Sequence, residues 1–407
     1  MDHKRLFQHL TNKKIFIKYI LPEIKQDLFN YVFVDYYAEN LILPILEFIE
    51  KKNRVEYFKN HIFLFDIQDE LVNKAIENAH YIPKEVAKQN IKQNDSLSVY
   101  PKIKSNLPIF HITNPPYLYI YIKKHEETKH YLNYFKNEFS LQDLYQVAMF
   151  QDMKNNISKN IYIVPSNFLF SASTNKVRTE YLESYDIQKA IIFEEKIFDF
   201  TGQHVIFFFN KKQNKNHDKQ KFEAIKINYA KKRNFELRKT NNYRGSEFID
   251  FCKKNQQKNI NVDFYLMEDY ILKNKTNKIC YDINNKKHIQ YVNEELYEKI
   301  KKNYLYIRTI DTKIGGRILY DIRKDYKADC IVITNKTYRT YPIQIFLDTK
   351  KDILLDELKR YFNNTLEEFR EKYDSDFLTT FMYSETSEYV RKFILTYTKQ
   401  LIQTFSF

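Results

Sequence analysis

Residues 107–117 read Leu-Pro-Ile-Phe-His-Ile-Thr-Asn-Pro-Pro-Tyr, and this stretch decides the fold. Leu107 to Thr113 is apolar and rich in β-branched residues, the pattern of a short buried strand. Two successive prolines fix φ and push the residues before them toward extended backbone. The strand therefore ends at Asn114-Pro115-Pro116-Tyr117. Open α/β sheets bind ligands beyond the carboxyl ends of their strands. At such an end the Asn114 amide offers one acceptor oxygen and two donor hydrogens, and the Pro115 carbonyl stands outside any helix ladder. Together an Asn oxygen and a proline carbonyl can accept both hydrogens of an exocyclic amine, and Tyr117 offers a flat face to a base. Taken alone, the run also reads as a Pro-Pro turn with Tyr117 in ordinary packing.

Working outward, the same unit repeats. Tyr31-Val32-Phe33-Val34-Asp35 is a strand ending in an acid, followed by Tyr36-Tyr37-Ala38-Glu39-Asn40 and a helix from Leu41 to about Lys52. His61 to Asp66 is a second such strand, with a helix from Gln68 to Ala79 behind it. An acid at this strand end commonly binds the two ribose hydroxyls of a nucleotide; Asp66 reads equally as a helix N-cap. Residues 81–93 read as a basic helix before Asn94-Asp95-Ser96-Leu97. Beyond the tetrapeptide, 122–139 is charged helix or loop, and Ser140 to Met153 is a helix with Ser140 as its N-cap. A strand follows from Ile161, then a helix opening with Asn175-Lys176-Val177-Arg178. Strand Ala190 to Phe193, the aromatic loop Ile197-Phe198-Asp199-Phe200 and strand Val205 to Phe209 complete the series. Strands alternating with helices predict an α/β, parallel-dominated, doubly wound sheet. Asn210 to Lys221 is lysine-rich without core formers, a linker or a solvated turn, so the first domain is expected to end near residue 220.

Asn-Pro-Pro-Tyr after a strand resembles the catalytic motif of S-adenosylmethionine-dependent amino-methyltransferases. The order of the surrounding segments resembles the adenine-N6 DNA methyltransferases of restriction-modification systems, in the subgroup whose target-recognition domain follows the catalytic domain. The resemblance spans roughly residues 13–210 and, more loosely, the rest. It implies a Rossmann-like methyltransferase domain over 1–220 and a smaller α+β target-recognition domain over 221–407. It implies S-adenosyl-L-methionine as cofactor, held by Asp35, Ala38, Asp66 and Asp95. Asn114, Pro115, Pro116 and Tyr117 would be catalytic, with Tyr117 and Phe198 or Phe200 against a flipped adenine. Double-stranded DNA is the implied partner, beside a cognate restriction endonuclease in a system of type II.

One motif departs from the family. Its Asp-x-Phe-x-Gly-x-Gly loop after the first strand keeps Asp35, Tyr37 and Ala38 here, but the glycine positions read Glu39 and Leu41. The whole chain has 4 glycines in 407 residues, where average usage would give roughly 28. Weak cofactor binding is the expectation. Two other readings stay open: a methyltransferase acting on RNA or protein glutamine, since the tetrapeptide serves any such amine or amide, and a catalytically impaired nucleic-acid-binding or specificity subunit.

Composition frames these readings. The net charge of +14 attracts phosphate backbones, although a lysine-rich, AT-biased genome produces the same excess. Toward the C-terminus, Lys336-Thr337-Tyr338-Arg339-Thr340-Tyr341 interleaves cations, hydroxyls and aromatics, which suits phosphate and base contacts, with Arg339 the expected reader. No apolar run reaches 18 residues, so no membrane span is expected. Met1 to Arg5 leads into no signal core, and the three cysteines, Cys252, Cys280 and Cys330, form neither a metal spacing nor a disulfide framework. A reducing cytoplasm is the expected compartment. No nuclease carboxylate cluster is evident.

Overall fold

In the computed structural model, the described residues are 11–38, 40–118, 134–135, 141–193, 204–213, 218–227, 231–245, 247–257, 260–268, 271, 276–307, 319–337, 341–349, 354–373 and 398–406. They form two compact units, Met1–Arg244 and Gly245–Phe407.

The first unit is built on one nine-stranded sheet. Its strands are β1 (Val32–Asp35), β2 (Ile62–Asp66), β3 (Ile91–Gln93), β4 (Ile109–Thr113), β5 (Lys159–Pro165), β6 (Tyr185–Phe193), β7 (His204–Lys211), β8 (Lys219–Lys226) and β9 (Lys231–Arg238). Their order is β3-β2-β1-β4-β5-β7-β6-β8-β9. β1 to β5 run parallel, and β7 is inserted antiparallel between β5 and β6. Because β1 lies between β2 and β4, the winding reverses there, the topological switch point at which open sheets bind ligands.

Alternate residues of the central strands feed two cores. Ile161 and Ile163 of β5 join one with Phe33, Ile62, Leu64 and Ile112. The same core takes Tyr57 and Phe58 from α1 (Arg54–His61), Val72, Ala75 and Ile76 from α2 (Asp69–Asn78), and Ala87 from α3 (Lys84–Asn90). Tyr162 and Val164 join the opposite core, with α4 (Leu144–Lys154) and α5 (Asn175–Ser184). Burial on both faces explains why these strands read as continuous apolar runs.

Several local expectations are corrected. The helix expected from Leu41 is two 3₁₀ segments, Leu43–Phe48 and Lys51–Asn53, before α1 begins. The helix expected over 81–93 stops at Asn90 and gives way to β3. The N-cap of α4 is Asp143, while Ser140 lies outside the described residues. The first unit runs to Arg244 rather than 220. β8 and β9 extend the sheet, β8 pairing parallel to β6; both ends of 210–221 are therefore strand, in β7 and β8, and the stretch joins two strands of one sheet rather than two domains. Arg178 closes this boundary: its guanidinium donates from Nε to the Asn242 carbonyl at 2.8 Å.

The second unit holds two four-stranded sheets. One orders β10 (Ile260–Phe264), β17 (Ile343–Thr349), β14 (Leu305–Ile307) and β15 (Leu319–Asp321), all antiparallel. The other orders β11 (Leu266–Met267), β16 (Cys330–Ile333), β12 (Asn277–Ile283) and β13 (Lys286–Val292). Helices α6 (Glu247–Asn255), α7 (Glu294–Lys302) and α8 (Leu355–Tyr373) accompany them. This unit is thus α+β in composition. Among the described residues no helix is long and apolar enough to cross a membrane.

Candidate active site

The parallel run of β3, β2, β1, β4 and β5 brings five strand ends to one edge of the sheet. In sheet order they are Gln93 (followed by Asn94-Asp95), Asp66, Asp35, Thr113 (followed by Asn114) and Pro165 (followed by Ser166). Three strand spacings separate the β3 end from the β4 end, about 14 Å, the length of an extended nucleoside with a short tail. Asp35, Ala38, Asp66, Asp95 and the tetrapeptide therefore share this edge.

Backbone bonds lock the edge together. The Ala38 N–H donates to the Phe65 carbonyl at 2.7 Å and the Asn94 N–H to the Asp66 carbonyl at 2.8 Å. Asp66 is buried and its Oδ1 accepts the Gln68 N–H at 2.8 Å; the N-cap of α2 is Gln68, so Asp66 is corrected from N-cap to a residue that holds the turn before the helix. Asp95 is half-buried. Its carboxylate takes the Tyr134 hydroxyl at 2.7 Å and the Ser98 N–H at 3.3 Å. Asp35 points inward, 1% exposed, and accepts the Thr113 hydroxyl at 2.7 Å and the Tyr37 N–H at 3.1 Å. Burial pushes its pKa up to about 6, partly offset by His111, the Thr113 hydroxyl and the Tyr37 N–H.

The loop after β1 opens on a buried ring, two residues before the first of the family's glycine positions. Tyr36 is fully buried, stacked on Phe65 at 5.8 Å and tilted on Tyr100 at 4.4 Å. Ala38 is buried as well, and Leu41 belongs to the core. Glu39 lies outside the described residues.

At the end of β4, Asn114 is half-buried. Its Nδ2 donates to the Thr11 hydroxyl at 2.9 Å and its Oδ1 accepts the Tyr117 hydroxyl. That hydroxyl also lies against the Ile163 carbonyl. The Tyr117 ring is 8% exposed, between Tyr145 at 6.3 Å and His204 at 5.4 Å. The amide is thus at the strand end with its acceptor oxygen engaged by Tyr117, while the ring that would stack on a base is turned inward. Asp143 fixes the chain beyond: its Oδ1 accepts the Leu118 N–H at 3.0 Å. Burial raises the Asp143 carboxyl to about 7 against three backbone donors, the N–H groups of Leu118, Tyr145 and Leu144.

Arg178, on the expected helix, is a clamp. It is fully buried and donates to the carbonyls of Phe168 (2.7 Å) and Ser171 (3.1 Å) and to the Thr174 hydroxyl (2.7 Å). Phe198, Phe200 and Arg339 lie outside the described residues. Of the expected contact strand, Lys336 sits in an exposed turn, but Tyr341 is buried with its hydroxyl on Asp282. That corrects Tyr341 from surface contact to core.

A different surface in the second unit was missed. β12 and β13 form a hairpin ribbon at the edge of their four-stranded sheet, β12 also pairing with β16; it is closed by Asn284-Asn285, both at positive φ (50° and 66°), the type I′ turn such pairs favour. β13 exposes Lys286, Lys287, His288, Ile289 (60%) and Tyr291 (49%). Lys287, Ile289 and Tyr291 share one face, with Lys278 opposite Tyr291. The signal was in the sequence: Asn-Asn between two alternating runs, and a lysine pair followed by a strand with no buried partner pattern.

No family model matches the chain, and no curated protein matches it. Solved structures do. The nuclease-deletion form of the Type ISP restriction-modification enzyme LlaGI, in complex with a DNA substrate mimic, superposes with a TM-score of 0.49 at 11% identity, over 91% of this chain and 45% of that one. A DrdV–DNA complex gives 0.41 at 11% identity, over 57% and 30%. The methyltransferase subunit of a type I restriction-modification system from Streptococcus thermophilus gives 0.35 at 16% identity, over 49% and 43%. The chain spans less than half the length of each.

Proposed function

We propose that the protein is a site-specific DNA adenine-N6 methyltransferase using S-adenosyl-L-methionine, the modification enzyme of a type II restriction-modification system. The observation that carries this reading is the position of Asn114-Pro115-Pro116-Tyr117 at the end of β4, beside the switch point, on the edge that also bears Asp35, Asp66 and Asp95. The carboxylates of Asp66 and Asp95 would hold the ribose and adenine ends of the cofactor, as the resemblance implies. Asp35, turned inward, would act on the loop rather than on the ligand.

The chemistry follows from the amide. The N6 lone pair of adenine is delocalised into the ring, so the amine is a poor nucleophile. If Asn114 Oδ1 and the Pro115 carbonyl accept its two hydrogens, the nitrogen pyramidalises and its lone pair localises. It then attacks the sulfonium methyl in line, the N–C bond forming as the C–S bond breaks, and one amine proton leaves to solvent. Positioning and preorganised dipoles supply the gain. The adenine must leave the duplex, and its amine would displace the Tyr117 hydroxyl from Asn114 as the ring swings to stack. DNA would be engaged by the second unit, where the exposed lysines of the edge strand β13 would meet phosphates.

A second reading is a specificity subunit without turnover; the packed loop after β1 favours it. Mapping N6-methyladenine in DNA from cells expressing the chain separates the two: methylation at one recurrent sequence supports the enzyme, and its absence with DNA binding intact supports the subunit. For the ribbon, replacing Lys286 and Lys287 by Ala should lower the slope of log K against log salt by roughly 0.9 per lysine. An unchanged slope with increased aggregation would make these lysines guards of a free strand edge.

A further inference from the structure

Behind the strand ends lies a buried polar cluster that the proposed chemistry does not use. Asp152 of α4 and His111 of β4 are both fully buried. Asp152 Oδ2 accepts from His111 Nδ1 at 2.6 Å and from the Tyr162 hydroxyl at 2.6 Å; Oδ1 accepts the Tyr100 hydroxyl at 2.7 Å. The Asn160 amide, turned with its nitrogen to the carboxylate, donates at 2.8 Å. Donors thus surround the carboxylate, as a buried acceptor-only group requires. The bond to Asp152 assigns the imidazole proton to Nδ1 and leaves Nε2 an acceptor. That nitrogen faces the Tyr36 N–H at 3.4 Å, the first backbone donor beyond β1.

Two residues further along the same face of β4, Thr113 donates to Asp35. One strand therefore holds the β1 end at two points and carries Asn114 at its own tip. In a glycine-rich loop the backbone turns by its own freedom; here the turn is held from outside. We propose that His111, oriented by Asp152, is a positioning residue that fixes the loop after β1 and so sets the affinity of the neighbouring site for the methyl donor. This rests on the methyltransferase reading for its ligand, but not for its geometry.

The two are tested separately on the full chain. Long-range ¹H–¹⁵N spectra of ¹⁵N-histidine-labelled protein report the His111 tautomer, assigned by its loss in His111→Gln. The proton is expected on Nδ1. A proton on Nε2, facing the Tyr36 N–H, overturns the proposal whatever the protein's activity. The functional arm uses the reach of two amides. Gln at 111 presents an oxygen near the Nε2 position; Asn at 111 reaches only the Nδ1 position. His111→Gln should keep S-adenosylmethionine affinity within about threefold, and His111→Asn should weaken it at least tenfold, with saturated turnover and DNA affinity little changed. Ligand-observed NMR titration measures both. Equal affinity in the two variants overturns the proposal, as does an equal loss in which Gln fails to rescue. Should the unaltered protein bind no S-adenosylmethionine, the methyltransferase reading falls, and the tautomer alone decides whether His111 holds the loop.

Discussion

Two strand ends lie side by side on the sheet of the first unit and have diverged in opposite ways. The β4 end keeps small polar groups: Thr113, Asn114 and two prolines, with the Asn114 amide half-buried at the tip. The β1 end has been filled: Tyr36 is fully buried against Phe65 and Tyr100, and Ala38 and Leu41 are buried beside it. Packing at the β1 end gains apolar burial, worth about 1.5–3 kcal/mol for a side chain such as Leu41. The polar groups at the β4 end are hydrogen-bonded: Thr113 donates to Asp35, and Asn114 Oδ1 accepts the Tyr117 hydroxyl. The comparison sets a packed strand end beside a polar one, and each end can be attacked on its own.

The largest effect is expected at the β4 end. Asn114→Ala should reduce methyl transfer on the order of 10³-fold or more, as removal of a preorganised polar group does. DNA affinity should stay within a few-fold, because phosphate contacts dominate it. Labelled-methyl incorporation and a binding titration check the two halves; turnover near normal would move the active centre elsewhere.

Tyr117 comes next. Tyr117→Ala should lose base capture by about 1–3 kcal/mol, the worth of one stacked base, and Tyr117→Phe should retain most of it. Phe also removes the hydroxyl that engages Asn114 Oδ1. A fluorescent adenine analogue at the target position reports extrusion. If the unaltered protein leaves its emission unchanged, the ring stays in its buried position and the flipped-base picture fails.

At the β1 end, the unaltered chain should bind S-adenosylmethionine in the high-micromolar range or more weakly, about 6 kcal/mol or less. Restoring a Gly-x-Gly loop through Glu39→Gly and Leu41→Gly should tighten it at least tenfold. The structure sharpens this. Leu41 is 6% exposed in the core, so Leu41→Gly costs stability by opening a cavity, and Glu39→Gly alone is the cleaner gain. Calorimetric titration decides; sub-micromolar binding by the unaltered chain would mean that the packed loop is no obstacle.

How much of this was legible follows from what each residue does locally. β4 and β5 were readable because both faces are buried and apolar residues predominate in them. β3 was not, since Ile91-Lys92-Gln93 buries one side chain of three and continues a helical pattern without a break. β8 alternates buried Gln220, Phe222, Ala224 and Lys226 with more exposed neighbours; the lysines of 211–221 disguised it as the far side of a linker. The strand ends gave the tetrapeptide and the acids because a site at a sheet edge is short in sequence. The His111–Asp152 pair, 41 positions apart, left no local trace, and neither did the inward turn of Asp35 and Tyr117, which depends on what packs above them.

The smallest effect concerns the support of the β4 end. Asp143 holds the Leu118 N–H from the N-cap of α4, and burial lifts its carboxyl from the ordinary 3.8 to about 7. In the unfolded chain the group ionises near 3.8, so between about pH 4 and pH 7 folding takes up a proton. Stability contributed here is greatest below pH 4, falls as pH rises through that window, and is level above it. Asn at 143 does not titrate, keeps an oxygen for the Leu118 N–H and caps a helix about as well as Asp. Asp143→Asn should therefore gain stability relative to the unaltered protein as pH rises from 4 to 7. Asp35, whose carboxyl is raised to about 6, adds a slope of the same sign to both proteins and cancels in the difference. Urea midpoints at pH 4, 5.5 and 7 measure it. Parallel curves would mean that Asp143 stays ionised in the folded protein, its charge met by the three backbone donors, and that the β4 end is held more tightly than burial alone allows.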